Sequence, residues 1–310
     1  MKYETAGDPV TGCKWTRKTT AKVVQQLKRA GIRVSANTVG RLLKQMDFSL
    51  RKNIKSLESG LSKPPDPRKR DMQFRYIRSQ IRNYVVNKMP VISVDTKSRE
   101  LIGSFHRSGC KWSQEPIKVL DHDFPSDAQG VAIPYGIYDL SRNEGFVCVG
   151  TSCDTSEFAV DSIRTWWLQA GSAHYPHADR LLILADCGGS NGYRTRLWKH
   201  QFQVAFCNRL SLQVKVCHYP PGSSKWNPIE HRMFSFISNN WAAHPLIYYE
   251  TVLKFIRTTT TATGLKIRAL LNKKQYLKGI KISDRQMKDI VLKRYTLRPN
   301  WNYSICPSKM

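Results

Sequence analysis

The chain has 310 residues, 41% of them hydrophobic, which supplies one large core with one or two smaller units and excludes disorder throughout. Its 50 Lys and Arg against 23 Asp and Glu leave a formal charge of +27, a balance that points to a polyanionic partner such as nucleic acid. Its eight cysteines form no C-x-x-C pair and no zinc-finger spacing, the polar start Met1-Lys2-Tyr3-Glu4 is no signal peptide, and no apolar run is long enough for a membrane span. Zinc, a disulfide framework and a membrane anchor are therefore not expected; a soluble cytoplasmic protein with reduced thiols is. The charge is uneven: residues 1–90 carry 21 basic and 6 acidic side chains, 91–245 carry 15 and 14, and 246–310 carry 14 and 3. Basic arms flank a nearly neutral centre, where carboxylates facing a phosphate backbone call for divalent cations.

Residues 17–47 read as two short helices. The first carries Ala21, Val24 and Leu27 and stops at Gly31, and the second starts at the N-cap Ser35 and repeats Val39, Leu42, Leu43 and Met46. This is a helix-turn-helix outline over 1–62, with Arg41, Lys44, Arg51 and Lys52 on and after the second helix where phosphate contacts are made. No helix is legible before Arg17, so the expectation is a DNA-reading module shortened at its N-terminus. Pro64, Pro65 and Pro67 mark a linker, and a basic helix through Phe74, Ile77 and Ile81 completes the segment 63–89.

From residue 90 to 245 the pattern alternates strands and helices. An apolar run 91–94 ends at Asp95, and 133–138 with 146–149 form a hairpin about Asn143-Glu144-Gly145. A helix follows, with Asp154 and Glu157 as its capping box and Gly171 as its stop; then come a strand 181–185, a helix 193–206, a strand 212–216 and a helix after Pro228. Antiparallel strands first and parallel crossovers after predict an α/β fold, an RNase H-like mixed sheet with helices on both faces, preceded by the helix-turn-helix-like region. Residues 246–310 are expected as a basic C-terminal region.

Two acids, Asp95 and Asp186, each follow a buried strand and are expected at the rim of a parallel sheet. Glu230 has a bland reading as the third residue of a helix capped by Asn227. On a helical wheel measured from Ile229, however, Met233, Ile237, Trp241 and Phe234 fall at roughly 40°, 80°, 120° and 140°, and Glu230 at about 100°, in the middle of the buried stripe. A carboxylate there needs a partner, and a hard divalent cation suits it. Three converging carboxylates supply the ligands of two-metal phosphoryl transfer.

At these residues the chain resembles the Rhodopirellula-type DDE transposases of bacterial insertion sequences. The resemblance runs over nearly the whole chain, through residues 91–97 (VISVDTK), 133–139 (IPYGIYD), 154–159 (DTSEFA), 185–192 (ADCGGSNG) and 218–235 (HYPPGSSKWNPIEHRMFS). It implies that Asp95, Asp186 and Glu230 form the catalytic and metal-binding triad for two Mg²⁺ or Mn²⁺ ions. It also implies that the substrates are insertion-sequence ends and target DNA, and that the protein works as a homodimer or higher oligomer on DNA in the bacterial nucleoid. Cys187 departs from the family's usual glycine, placing a thiol beside the acids.

Lys225 and Arg232 flank Glu230 and are candidate phosphate contacts; His218 and His231 read as structural, and Trp226 as a core residue. Two further readings stay open in the sequence: a shortened copy that binds DNA without transposing, and a nuclease or integrase on the same fold.

Overall fold

The computed structural model describes residues 6–7, 14–15, 18–50 and 66–308, which fall into two units, Met1–Lys55 and Ser56–Met310. In the smaller unit β1 (Ala6–Gly7) pairs antiparallel with β2 (Lys14–Trp15). Helix α1 (Thr20–Arg29) begins where the Thr19 hydroxyl accepts the Lys22 N–H. It ends where Gly31, at φ +82°, lets the Ile32 N–H reach back to the Leu27 carbonyl at 2.8 Å. Helix α2 (Ala36–Gln45) is capped by Ser35 as the sequence predicts, its hydroxyl accepting the Thr38 N–H. The buried contacts of the pair are Val23 and Val39, whereas Ala21, Leu42 and Met46, expected on the inner stripe, are exposed. Arg41 and Lys44 are exposed on α2; Arg51 and Lys52 lie outside the described residues.

In the larger unit, Asp66 accepts the Arg68 N–H and Pro67 stands at the first turn of α3 (Pro67–Val86). The helix expected after a linker packs on the sheet, with Ile77 and Tyr84 against Val91, Leu182, Leu184 and Cys217. Its fully buried Gln73 donates to the His218 carbonyl and to Asn302, both at 2.9 Å.

The strands are β3 (Val91–Thr96), β4 (Glu100–Ile102), β5 (Gly130–Asp139), β6 (Glu144–Gly150), β7 (Arg180–Ala185), β8 (Gln213–His218), β9 (Lys266–Asn272), β10 (Leu292–Arg294) and β11 (Asn302–Ile305). Their order is β10-β11-β8-β7-β3-β5-β6-β9, with β4 added on β5. Within it β3, β5 and β6 are antiparallel neighbours, and β7 and β8 join β3 in parallel. This is the RNase H-like arrangement expected from the element order. The hairpin turn is displaced from its expected place: Asp139 pairs with Glu144, so Glu144 and Gly145 belong to β6 and the loop is 140–143, with Asn143 at φ +54° accepting the Tyr138 hydroxyl.

One face of the sheet is covered by α4 (Ser156–Trp166) and α6 (Arg196–Gln201) through Phe158, Ile163 and Trp198, with Phe202 just after α6. Thr155, not Asp154, caps α4. Gly171 does not stop that helix, which continues through a π turn, Trp167–Gly171, into α5 (Ser172–His174). A Cβ on Gly171 would meet the Trp167 ring at 2.6 Å, so packing explains this glycine. Likewise α6 passes through a π turn, Phe202–Cys207, into α7 (Asn208–Leu210).

The opposite face carries α3 and the helix after Pro228, which opens with a π turn, Glu230–Phe234, and continues as α8 (Ser235–Asn240). Residues beyond 246, expected only as a basic region, complete the sheet at both edges. Helix α9 (Tyr249–Arg257) leads into β9 beside β6; α10 (Asp284–Lys288) precedes β10, and β11 pairs with β8. In β9, exposed Lys266 and Arg268 alternate with buried Ile267 and Ala269, so its basic residues are the solvent side of an edge strand. Among the described residues no helix is long and apolar enough to cross a membrane.

Two strand glycines set how close the helix bearing Glu230 comes to the sheet. A Cβ on Gly136 would stand 2.5 Å from Phe234 and 2.7 Å from Met233, and one on Gly145 would stand 2.4 Å from the Met233 sulfur. Met233 and Phe234 are buried, so neither can swing into water. Gly136→Ala is expected to destabilise the protein by about 1–3 kcal/mol through overpacking and to lift the helix off its bed. A thermal melt checks this; an unchanged Tm would mean that the helix seats without needing the bare backbone.

Candidate active site

The register of the central strands brings the first two predicted acids together. Val94 pairs with Ala185 across the parallel β3–β7 ladder, so Asp95 and Asp186 each stand one residue further along adjacent strands, which run about 4.8 Å apart. Side chains alternate between faces along a strand. Val94 and Ala185 belong to the core under α4 and α6, so Asp95 and Asp186 project to the other face, where the helix after Pro228 lies.

Glu230 reaches the same rim from that helix, half-buried among Ile229, Met233, Phe234 and Ile237, which are all buried. It is not part of a capping box. The Asn227 amide turns away from its own helix and donates to Asp186 Oδ1 at 3.3 Å and to the Val94 carbonyl at 3.4 Å. Its carbonyl oxygen accepts the Ser93 hydroxyl, and Ser93 Oγ accepts the Ile229 N–H at 3.1 Å. Asn227 and Ser93, both buried, thus fasten the start of the helix to β3 and β7.

The acids act on one another electrostatically. Burial, then the charge of Asp186, push the Asp95 carboxyl up to about 8, with Glu230 and Asp154 adding to the rise and the Thr96 N–H opposing it. Asp186 is pushed up to about 6 by burial and by Glu230, with the Asn227 amide opposing. Glu230 itself is raised by burial, against the attraction of Lys97 and His231. The charges acting most strongly on Asp95 are all negative. Among the described residues no three His, Cys, Asp or Glu side chains are gathered tightly enough to hold a metal ion as they stand. The acids are neighbours within electrostatic reach and not a closed cage. Their chemistry still fits a hard divalent cation: buried carboxylate oxygens repelling one another, with no basic side chain paired to Asp95 or Asp186 among the described ion pairs.

Several residues of the site escaped the sequence reading. Asp154 accepts the Thr96 hydroxyl at 3.2 Å and lies close enough to Asp95 for its charge to act there. Thr96 also meets Ser190 Oγ at 3.3 Å, and Tyr135, fully buried, donates to Asn191 at 2.8 Å, which ties the 188–192 loop to the central strands. Of the other singled-out residues, Cys187 donates to the Tyr219 carbonyl, and His218 is fully buried with Nδ1 bonded to the Asp186 carbonyl at 2.8 Å. His231 bonds the Lys225 carbonyl. Lys225 and Arg232 are exposed. Trp226, expected in the core, is 58% exposed, because it sits on the short turn before the helix, with the edge of Phe74 on one side and the Lys225 ammonium over its ring.

A family model described as the Rhodopirellula transposase DDE domain matches residues 1–307 of the chain. Comparison with curated proteins returns no match. Among solved structures, the chain is similar to the Mos1 transposase paired-end complex with left transposon end and to the Mos1 strand transfer complex. Each match has 13% identity and a TM-score of 0.44, covering 77% of this chain and 65% of that one. The chain thus spans about 65% of the length of those chains.

The crowding of the acids has a measurable sign. A carboxyl whose pKa is raised on folding stabilises the fold fully below its unfolded value, and that contribution is lost as pH rises through the folded value. Metal-free protein is therefore expected to lose stability from the ordinary carboxylate range up to about 8. Asp95→Asn removes the most perturbed acid, so in EDTA it should melt roughly 5 °C above the wild type near pH 8.5 and converge with it near pH 4. A difference that does not vary with pH would show that Asp95 carries no such burden.

Proposed function

The chain belongs to the Rhodopirellula transposase DDE-domain family, and from that membership we propose that it cuts the ends of a DNA element and joins the freed 3′-hydroxyl to target DNA. The observation that carries the reading is the side-by-side projection of Asp95 and Asp186 from adjacent strands, with Glu230 within electrostatic reach of both on the same face. In this reading the three carboxylates hold two Mg²⁺ or Mn²⁺ ions. Bound there, such a pair supplies Lewis-acid stabilisation of the attacking and leaving oxygens of an in-line displacement at phosphorus.

The chain's own residues do the rest. Asp95, which burial and the neighbouring charges push up to about 8, would give up its proton to serve a bound cation, and with Asp186 would supply oxygen ligands. The Asn227 amide fixes the Asp186 carboxylate through Oδ1 and leaves its other oxygen free to face the substrate. Ser93 and Asn227 keep Glu230 at the rim, and Thr96 holds Asp154 by a hydrogen bond of 3.2 Å. No side chain serves as a covalent nucleophile, because water and then the DNA 3′-hydroxyl fill that role. Arg41, Lys44, Arg51, Lys52, Lys225 and Arg232 are the proposed backbone contacts, which position the duplex without reading its sequence. Pairing two DNA ends calls for a homodimer or higher oligomer, working on DNA in the bacterial cytoplasm.

A strand-transfer assay with Mg²⁺ or Mn²⁺, on a duplex carrying the element's own ends, tests the reading. Joined products are expected. Glu230→Gln keeps side-chain volume and, since Glu230 is not a cap and its charge repels the other acids, should melt no lower than the wild type while joining falls on the order of 100-fold or more. Binding without joining by the wild type would leave the alternative of a DNA-binding remnant, and cutting without preference for the ends would make it a nuclease.

A further inference from the structure

Beside Glu230 a cavity of about 550 Å³ opens between the end of β3 and the helix after Pro228. Glu230 lines it at one point. Around the rest stand Lys97, Lys225, His231 and the hydroxyls of Ser98 and Ser235. Apart from Glu230, these polar groups can all donate hydrogen bonds, and two are fixed cations. A ligand that matches them is an oxyanion with several acceptors.

Lys97 differs from the surface lysines. Its side chain is 8% exposed, its ammonium lies 2.9 Å from Glu100 Oε1, and it sits 4.5 Å above the Trp241 ring. Glu100 is shared: Arg107 binds its other oxygen and also donates to the Leu101 carbonyl at 2.9 Å. Two cations on one carboxylate leave the group one positive charge in excess, in a place with little water to solvate it. Glu230 feels that charge, but a Glu230 that serves a metal cation is not available to neutralise it. A phosphodiester, with one negative charge and two free oxygens, is.

We infer that this cavity is a subsite for one phosphodiester of the bound DNA strand, with Lys97 as its buried cation and Glu100, Arg107 and Trp241 holding that cation in place. The inference rests on the DNA-processing reading above. Glu230 lines both the carboxylate rim and the cavity, so a strand whose scissile phosphate lies at the acids runs a neighbouring phosphate into the donors around Lys97. The subsite sets the register of the strand at the rim and carries no base preference.

The test is duplex binding by the full chain with Ca²⁺ in place of Mg²⁺, so that Glu230 has a cation to serve, followed by fluorescence anisotropy over a series of salt concentrations. Lys97→Met keeps the stem over Trp241 and leaves Glu100 paired with Arg107, so no buried charge is orphaned. It is expected to weaken binding roughly tenfold and to lower the slope of log K against log salt by about one. Ser235→Asp places a negative charge on the exposed rim and should weaken binding in the same sense with an unchanged Tm. Equal affinity and slope in the wild type and both variants would overturn the subsite. So would inorganic phosphate raising the Tm of the wild type but not of Lys97→Met while DNA binding stays equal, which would make this a site for free phosphate. Failure of the wild type to bind any duplex would instead bring down the functional reading, and this subsite with it.

Discussion

Like charges held at one end of two adjacent strands are the constraint on which the rest of the structure depends. The β3–β7 ladder puts Asp95 and Asp186 side by side, and the helix after Pro228 adds Glu230. Nothing about burial favours this arrangement: it pushes Asp95 up to about 8 and Asp186 up to about 6. A fold selected only for stability would place apolar residues there, as it does one step earlier with Val94 and Ala185, which are fully buried. The surrounding scaffold is rigid where these acids project. The ladder itself fixes two of them, and fully buried Ser93 and Asn227 fix the third. A site that is costly in its empty, charged form is one whose binding energy for cations is already prepared.

The same logic explains why the sheet is bare of side chains under the helix carrying Glu230. Gly136 lies opposite Asp95 in the β3–β5 register, and Met233 and Phe234 descend into the space left there and at Gly145. Two consecutive residues of one helix both point into the sheet because the helix opens with a π turn at Glu230–Phe234, which widens the buried arc. Glu230 sits at the first residue of that turn, at the edge of the arc and not its centre. It is thus half-buried, anchored by the packing of its neighbours, and still open to the rim.

The placing of Asp95 and Asp186 at the ends of adjacent strands was legible because its signal is local, an apolar run ending in Asp; the wheel that put Glu230 in the middle of the buried stripe assumed α-helical spacing, which the π turn breaks. Asp154 was misread on a local signal too. Its spacing to Glu157 imitates a capping box, but Thr155 takes that role, and the partner of Asp154 is Thr96, far away in the chain. Asn227 has an equally local alibi as a cap, whereas its partners Ser93, Val94 and Asp186 come from two other strands. The π turns have no compositional mark, since a π turn is made by packing rather than by propensity. In β9 the alternation of Lys266, Ile267, Arg268 and Ala269 is a strand signal that high charge disguised as a basic tail.

That tail matters to the site through the opposite side of the sheet. β11 pairs with β8 and places Tyr303 against His218 at the end of β8. The partners settle the protons: His218 Nδ1 faces the Asp186 carbonyl at 2.8 Å and must donate, so Nε2 accepts the Tyr303 hydroxyl at 3.1 Å, while the Trp198 indole donates to the Tyr303 oxygen at 2.9 Å. Burial lowers His218 to about 4, so the imidazole stays neutral and the chain of donors keeps one direction through the working pH range. Each link comes from a different element: α6, β11, β8, and the residue just past β7. The backbone of Asp186 is therefore held by His218, whose ring Tyr303 of β11 holds in turn, and its side chain by Asn227. An acid under strong repulsion from its neighbours would turn away if either hold were missing. Fixing both its main chain and its carboxylate makes Asp186 a ligand of set direction.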